Sequence, residues 1–184
     1  MYNTYGGVFM NIKKIVVGYL RCNCYIIEID NKVLVIDPGD DYFKIKDSIK
    51  KDKEVVGILI THNHFDHIGC VSDIVNDYKI DVYDNSNLYE GENNISIFKF
   101  KVIKTYGHTM DSISFYFDKD KVMFTGDFLF YNTIGRCDLN ESREDEMKKS
   151  IEKIKLYEDD IVVYPGHGRD TTLGREKMYN VFFR

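Results

Sequence analysis

The segment ILITHNHFDHIGC, residues 58–70, places three of the five histidines of the chain and one aspartate directly after an apolar run. The Ile and Leu residues of that run predict a strand that ends at this point. His62 and His64 are two residues apart, so an extended backbone points both imidazoles the same way. Asp66 and His67 follow where the chain turns into a predicted helix. One loop therefore offers two separate pairs of metal-ligating side chains.

Three further metal-ligating side chains follow later predicted strands. His108 lies in YGHT, Asp127 in FTGD and His167 in YPGHG, each beside a glycine that lets the backbone bend tightly. Loops at strand ends can bring side chains from different strands to one edge of a sheet. Five imidazoles and two carboxylates are too many ligands for one tetrahedral ion and suit two divalent ions.

The rest of the chain alternates between strand and helix patterns. Runs rich in Ile, Val, Tyr and Phe predict strands, and residues 31–32 and 119–120 predict tight hairpin turns between antiparallel neighbours. Helical spacing of apolar residues covers residues 41–51, 66–78 and 142–158. Ser142 and Asp145 resemble a capping box at the start of the predicted helix over residues 142–158. The order fits an α/β fold with a sheet core and helices outside.

Composition limits the classes of protein to consider. The chain has 184 residues, of which 43% are hydrophobic and 30% charged, and we expect a single domain over residues 10–184 with residues 1–9 as an N-terminal extension. A net charge of -5 offers no broad basic field, so no nucleic-acid partner is expected. Without an apolar run long enough to span a membrane and without a secretory signal, we expect a cytoplasmic protein that binds no membrane. The scattered cysteines predict reduced thiols, with Cys22 and Cys24 on one strand face.

These motifs resemble the metallo-β-lactamase fold superfamily. The matching segments are IDPGD, THNHFDHIG, YGHT, FTGD and YPGHG, in the family's order. The resemblance implies a four-layer αββα sandwich with mixed sheets and helices outside. It also implies a ligand set in which His62, His64 and His108 hold one ion, Asp66, His67 and His167 hold the other, and Asp127 bridges them. Asp66 and Asp127 are the expected catalytic carboxylates, and Asp37 of IDPGD is expected to orient a ligating imidazole.

Within the superfamily, three segments resemble the hydroxyacylglutathione hydrolase (glyoxalase II)-like branch. They read RCNCYIIE, MFTGDFLFYNTIGRCDL and PGHGRDTTLGREKMYN, and the likeness is closest to short members without a C-terminal helical domain. Glutathione-binding members place a Tyr where this chain has Arg169, and another where it has Asp138. Arg136, at the basic position of the IGR segment, is a candidate clamp for a substrate carboxylate. Tyr131 is a second candidate substrate-binding residue.

The resemblance implies a hydrolase that uses two divalent ions, zinc foremost, with iron or manganese as alternatives. Two such ions can lower the pKa of a shared water toward neutrality, and a thioester suits the resulting hydroxide because its thiolate leaves without a general acid. A small-molecule thioester or ester is the expected substrate. A mononuclear iron persulfide dioxygenase and a lactonase or other small-ester hydrolase are alternatives on the same fold. A metal-holding regulatory module and an RNA-cleaving enzyme represent other classes, and the acidic composition argues against the latter.

Overall fold

A computed structural model describes residues 10–184 of the chain, and the predicted extension over residues 1–9 lies outside the described residues. The strands, in chain order, are β1 (Asn11–Val17), β2 (Cys22–Ile29), β3 (Lys32–Ile36), β4 (Glu54–Leu59), β5 (Val82–Tyr83), β6 (Gly91–Ile95), β7 (Phe98–Lys104), β8 (Ile113–Phe117), β9 (Val122–Gly126), β10 (Leu129–Phe130), β11 (Thr133–Ile134), β12 (Val162–Pro165) and β13 (Thr171–Thr172). The helices are α1 (Tyr42–Lys46), α2 (Phe65–Ile68), α3 (Val71–Tyr78), α4 (Glu144–Ile154) and α5 (Leu173–Tyr179), followed by a 3₁₀ turn, Val181–Phe183.

Two mixed sheets form the centre of the fold. The first has the order β1-β2-β3-β4-β5, and the second has the order β13-β12-β9-β8-β7-β6. The pairs β3–β4, β4–β5 and β9–β12 are parallel, and the other pairs in these two sheets are antiparallel. The hairpins predicted at residues 31–32 and 119–120 are confirmed as the β2–β3 and β8–β9 connections.

Alternation along the strands explains why the sheets are covered on both faces. In β3, Val33 and Val35 pack with α1 and α3, whereas Leu34 and Ile36 pack against the second sheet. Phenylalanines of the second sheet fill the layer between the sheets, and Met123 of β9 faces the opposite way, toward α4. Because side chains alternate with period two, each strand contributes to two apolar layers. The three resulting cores separate four layers, which confirms the αββα sandwich.

The structure corrects the helix predictions in detail. The predicted 41–51 helix is limited to α1, and the 66–78 helix is broken into α2 and α3. A Cβ on Gly69 would lie 2.1 Å from the carbonyl oxygen of Gly39, and Cys70 N–H donates to the Pro38 carbonyl at 2.9 Å. The helix stops at this point because the IDPGD loop packs directly against it.

The capping-box prediction at the start of α4 is wrong. The helix begins at Glu144, and no side chain caps it. Ser142 Oγ instead donates to the carbonyl oxygen of His108 at 2.7 Å, so this hydroxyl ties the start of α4 to the loop that carries His108. A tertiary contact has replaced the local cap that the sequence pattern indicated.

The cysteine prediction is confirmed. Cys22, Cys24, Cys70 and Cys137 are all free, and Cys22 and Cys24 share the face of β2 that packs beneath α1 and α3. Of the helices that the structure describes, none has the length and apolarity needed to cross a membrane.

Candidate metal centre

Four loops from both sheets bring the predicted ligands to one edge of the sandwich. Strand β4 leads into the loop and helix that carry His62, His64, Asp66 and His67. The second sheet supplies the others: His108 from the β7–β8 connection, Asp127 after β9 and His167 after β12. The structure therefore brings all seven predicted side chains together, although they span more than a hundred residues of sequence.

Three histidines form the first group. His62 Nε2 lies 3.0 Å from His64 Nδ1, and His108 Nε2 lies 3.0 Å from the same atom. His62 and His108 are buried, whereas the imidazole of His64 is partly exposed. The three nitrogens thus converge on one point.

The outer partners of these rings decide which nitrogen carries the proton. His108 Nδ1 lies 3.0 Å from the carbonyl oxygen of Arg136, which can only accept, so Nδ1 donates. His64 Nε2 donates in the same way to the Glu141 carboxylate at 3.0 Å. Thr61 Oγ1 donates to Asp37 at 2.6 Å and so accepts from His62 Nδ1 at 3.1 Å. Each ring is thereby left with its unprotonated nitrogen facing the other two rings.

Three unprotonated nitrogens at this spacing cannot hydrogen-bond one another, because none of them has a proton to donate. Their lone pairs repel unless a cation accepts them. The donor set and its outer hydrogen bonds therefore fit a divalent metal ion, which neutral imidazoles with hydrogen-bonded second nitrogens commonly hold.

The second group combines two histidines and two carboxylates. Asp66 Oδ2 lies 3.3 Å from His167 Nε2 and 3.9 Å from His67 Nε2. Asp127 Oδ1 lies 3.3 Å from His67 Nε2, while its Oδ2 lies 3.6 Å from both His108 Nε2 and His167 Nε2. The carboxylate of Asp127 accordingly faces both groups, as a bridging ligand must.

Two atoms of this second group are buried without a hydrogen-bond partner among the described residues: His67 Nε2 and Asp127 Oδ1. His67 Nδ1 lies 2.9 Å from Asp37 Oδ2, so the proton of the neutral ring stays on the outer side. Buried polar atoms without partners cost free energy unless a ligand satisfies them. A second divalent cation between Asp66, His67, Asp127 and His167 would satisfy both atoms.

The two groups differ in their protonation in the absence of a cation. Burial, with nearby imidazoles, lowers the pKa of His62 well below its ordinary value, and burial lowers that of His108. Burial also opposes the charged form of His67, but the Asp37 and Asp127 carboxylates outweigh it and raise its pKa. For His167, the hydrogen bond to Asp66 outweighs burial and raises the pKa. His62 and His108 therefore resist protonation, whereas His67 and His167 take up protons more readily, and a cation must compete with those protons.

The structure also identifies supporting residues that the sequence reasoning missed. Asn23 Nδ2 of β2 donates at 2.9 Å to the carbonyl oxygens of both Pro165 and Gly168, which flank His167. Thr61 and Glu141 hold the outer nitrogens of His62 and His64. The RCNCY segment contained a signal for Asn23, and Thr61 directly precedes His62, but Glu141 comes from a distant loop and left no local pattern.

Cys22 lies beside the centre as well. Its Sγ is 3.6 Å from His67 Nδ1, on the side of the ring away from Nε2, and burial raises its pKa to about 11. It is a neutral thiol at physiological pH and packs beneath the ligands. The predicted role of Asp37 agrees with its contacts, since its carboxylate accepts from Thr61 N, Thr61 Oγ1 and His67 Nδ1.

The two candidate substrate residues lie near the centre in different settings. Arg136 accepts from His108 through its carbonyl, while its exposed guanidinium forms two hydrogen bonds with Asp138, at 2.7 and 2.8 Å. Tyr131 is half-buried between the guanidinium groups of Arg169 and Arg175. Neither contact tests substrate binding, so both assignments stay predictions.

The chain is similar to known proteins in both sequence and fold. A model of the metallo-beta-lactamase superfamily matches residues 17–90 and 83–167. The chain belongs to the metallo-β-lactamase superfamily. Among relatives, the probable metallo-hydrolase YqgX of Bacillus subtilis is 30% identical over 94% of this chain and 97% of its own length. The hydroxyacylglutathione hydrolase GloC of Haemophilus influenzae is 30% identical over 94% of this chain and 98% of its own.

Solved structures of the superfamily agree with the fold. BLEG-1, a B3 metallo-beta-lactamase, superposes with a TM-score of 0.88 at 31% identity, over 94% of this chain and 99% of its own. TTHA1623, solved in a di-iron-bound form, superposes with a TM-score of 0.85 at 28% identity, over 92% of this chain and 99% of its own. The chain is therefore a metallo-hydrolase of the metallo-β-lactamase superfamily, whose members bind divalent metals.

Proposed function

We propose that the protein is a thioester hydrolase of the glyoxalase II type that works with two divalent ions, zinc foremost. The observation that carries the proposal is the pair of converging ligand groups joined by Asp127. The relative GloC, a hydroxyacylglutathione hydrolase, supports the choice of a thioester. Ions held by His62, His64 and His108 and by Asp66, His67 and His167 would supply an activated water and polarise a carbonyl oxygen.

The residues of the chain prepare this chemistry by orientation and charge. Thr61, Glu141 and the Arg136 carbonyl hold the rings of the first group, so little reorganisation accompanies binding. In the absence of a cation, hydrogen bonding and charge from His67 outweigh burial and lower the pKa of Asp127, and the hydrogen bond from His167 does the same for Asp66. Both carboxylates are ionised at neutral pH, and each can accept a hydrogen bond from the attacking water. The thiolate of a thioester leaves without a proton from the protein.

The test joins metal analysis to a substrate panel containing thioesters, a lactone, a β-lactam and a persulfide. We expect the metal-loaded protein to hydrolyse a thioester such as S-lactoylglutathione most efficiently. In His64→Ala and Asp127→Ala, bound metal and turnover should both fall, turnover by at least about a hundredfold. Lys119→Gln, at the exposed β8–β9 turn, is the matched control and should retain both.

Intact thioester turnover in either ligand variant would overturn the mechanism. Iron as the bound metal, with oxygen consumption on the persulfide and no thioester cleavage, would replace the proposal by the dioxygenase alternative. Circular dichroism of each variant separates loss of the site from loss of the fold.

A further inference from the structure

A pocket of about 390 Å³ opens beside His167, between the β1–β2 hairpin and the loop that follows β12. Its lining includes Lys14, Leu20, Arg21, Asn23, His167 and Arg169. Its volume lies within the range of sites that bind small molecules. Because His167 belongs both to the second ligand group and to this pocket, the pocket adjoins the candidate metal centre.

The pocket is basic in a chain of net charge -5. Three separate positions supply the cations: Lys14 in β1, Arg21 in the β1–β2 turn and Arg169 after β12. Lys14 has an exposed carboxylate partner, Asp170, at 3.4 Å. Within residues 10–184 the guanidinium groups of Arg21 and Arg169 form no ion pair with a carboxylate. Positive charge at this place is therefore left largely uncompensated.

Arg169 is held in place by an aromatic ring. Its Cζ lies 3.3 Å from the ring centroid of Tyr131, and Cζ of Arg175 lies 3.8 Å from the same centroid. Two guanidinium carbons at these distances would collide on one face, so they occupy opposite faces of the ring. Arg175 is anchored by Asn132 Oδ1 at 2.6 Å, which fixes the stack from the far side. Stacking leaves the hydrogen-bonding edge of Arg169 available to a ligand.

We propose that this pocket binds the anionic end of the thiol carrier, a carboxylate or a phosphate, with Arg169 and Arg21 as the recognising residues. The inference rests on the proposed thioester hydrolysis and names the class of carrier. A planar guanidinium binds either group through two parallel hydrogen bonds. Tyr131 acts as a positioning residue because it reaches the ligand only through Arg169.

The position of the pocket suits the leaving group of the reaction. Arg169 is two residues from His167, and two residues span at most about 7 Å. A thioester with its carbonyl carbon over the metal centre can therefore extend its thiol arm past His167 into the pocket. Leu20, 46% exposed at the hairpin tip, offers apolar surface to the methylene groups of that arm.

The experiment compares three lactoyl thioesters that share one acyl group: those of glutathione, which carries carboxylates, of coenzyme A, which carries phosphates, and of neutral N-acetylcysteamine. Metal-loaded full-length protein is assayed as wild type, Arg169→Gln, Arg21→Gln and the control Lys119→Gln. We expect the two arginine variants to lower kcat/KM for a charged thioester, relative to the neutral one, by about tenfold or more through a higher KM. A decrease for the glutathione thioester would indicate that the pocket binds a carboxylate, and a decrease for the coenzyme A thioester would indicate that it binds a phosphate.

Equal effects on charged and neutral thioesters, or no effect on any, would overturn the pocket assignment while leaving thioester hydrolysis intact. If the wild type cleaves none of the three thioesters, the proposed function is wrong. Calorimetry of ligand binding then tests separately whether the pocket binds anions. Binding of S-methylglutathione, S-methyl coenzyme A or inorganic phosphate that weakens about tenfold in Arg169→Gln would support an anion pocket. Absence of binding to all three would refute it. Metal content, measured in every variant, should match the wild type.

Discussion

At the scale of single residues, the outer hydrogen bonds of the histidines are as informative as the ligands themselves. Asp37 accepts from His67 Nδ1 at 2.9 Å and Glu141 accepts from His64 Nε2 at 3.0 Å. Each bond fixes one tautomer and aims the other nitrogen inward. The ligand positions could be predicted from sequence because the HxHxDH spacing is local. Glu141 could not, because it lies 77 residues from His64 and forms no motif with it.

The opposite pKa shifts of the two groups predict stepwise loss of metal in acid. His67 and His167 have raised pKa values, so as pH falls they take up protons before His62 and His108, whose pKa values are lowered. Protons compete with metal for the same nitrogens. The ion of the Asp66–His67–His167 group should therefore leave at a higher pH than its neighbour.

Metal per chain, measured after equilibrium dialysis from pH 8 to pH 4, checks this order. Asp37→Asn removes a charge that raises the pKa of His67. Protons should then compete less with the metal at His67, and the first ion should leave at a lower pH. An identical profile in that variant, or loss of both ions in one step, would contradict the prediction. Glu152→Gln, exposed on α4, is a charge-matched control.

At the scale of the elements, the loop after β12 depends on the absence of a side chain at Gly166. A Cβ there would lie 2.2 Å from Asp127 Oδ1 and 2.7 Å from His67 Cε1. Gly166→Ala should therefore displace two ligands, lower the bound metal and destabilise the fold by about 1–3 kcal/mol.

Gly168→Ala is the matched control, since a Cβ there meets nothing within 4 Å but the residue has φ +76°. Backbone strain alone should cost it about 1 kcal/mol without loss of metal. Plasma emission spectrometry and urea unfolding separate the two effects. Full metal content in Gly166→Ala would show that the loop can relax around the added methyl group.

The sequence predicted elements wherever a pattern was local, and missed boundaries that distant contacts set. The two hairpins and the period-two strands are visible in the chain alone. The break between α2 and α3 arises from the Gly39 carbonyl packed against Gly69, thirty residues away in sequence. Ser142 bonds the His108 carbonyl instead of capping α4. Local propensity cannot reveal either contact, because tertiary packing decides both.

At the scale of the whole molecule, the ligands join the two sheets of the sandwich. His62, His64, Asp66 and His67 follow β4 of the first sheet, whereas His108, Asp127 and His167 follow strands of the second. All four cysteines are free, so within residues 10–184 no disulfide links the sheets. Bound metal should therefore act as the cross-link that stabilises this edge.

Chelation is expected to lower the melting temperature for this reason. A ligand at a thousand times its Kd stabilises the folded state by about 4 kcal/mol. For a chain of this length, about 2–4 °C accompanies each kcal/mol, so metal removal should lower Tm by roughly 10 °C. Added zinc should restore it, while reductant should change nothing because the thiols are already free. Scanning calorimetry with and without chelator tests this, with His64→Ala as the variant whose Tm should respond least. An unchanged Tm after verified metal loss would mean that the packed phenylalanine layer, rather than the metal centre, holds the sheets together.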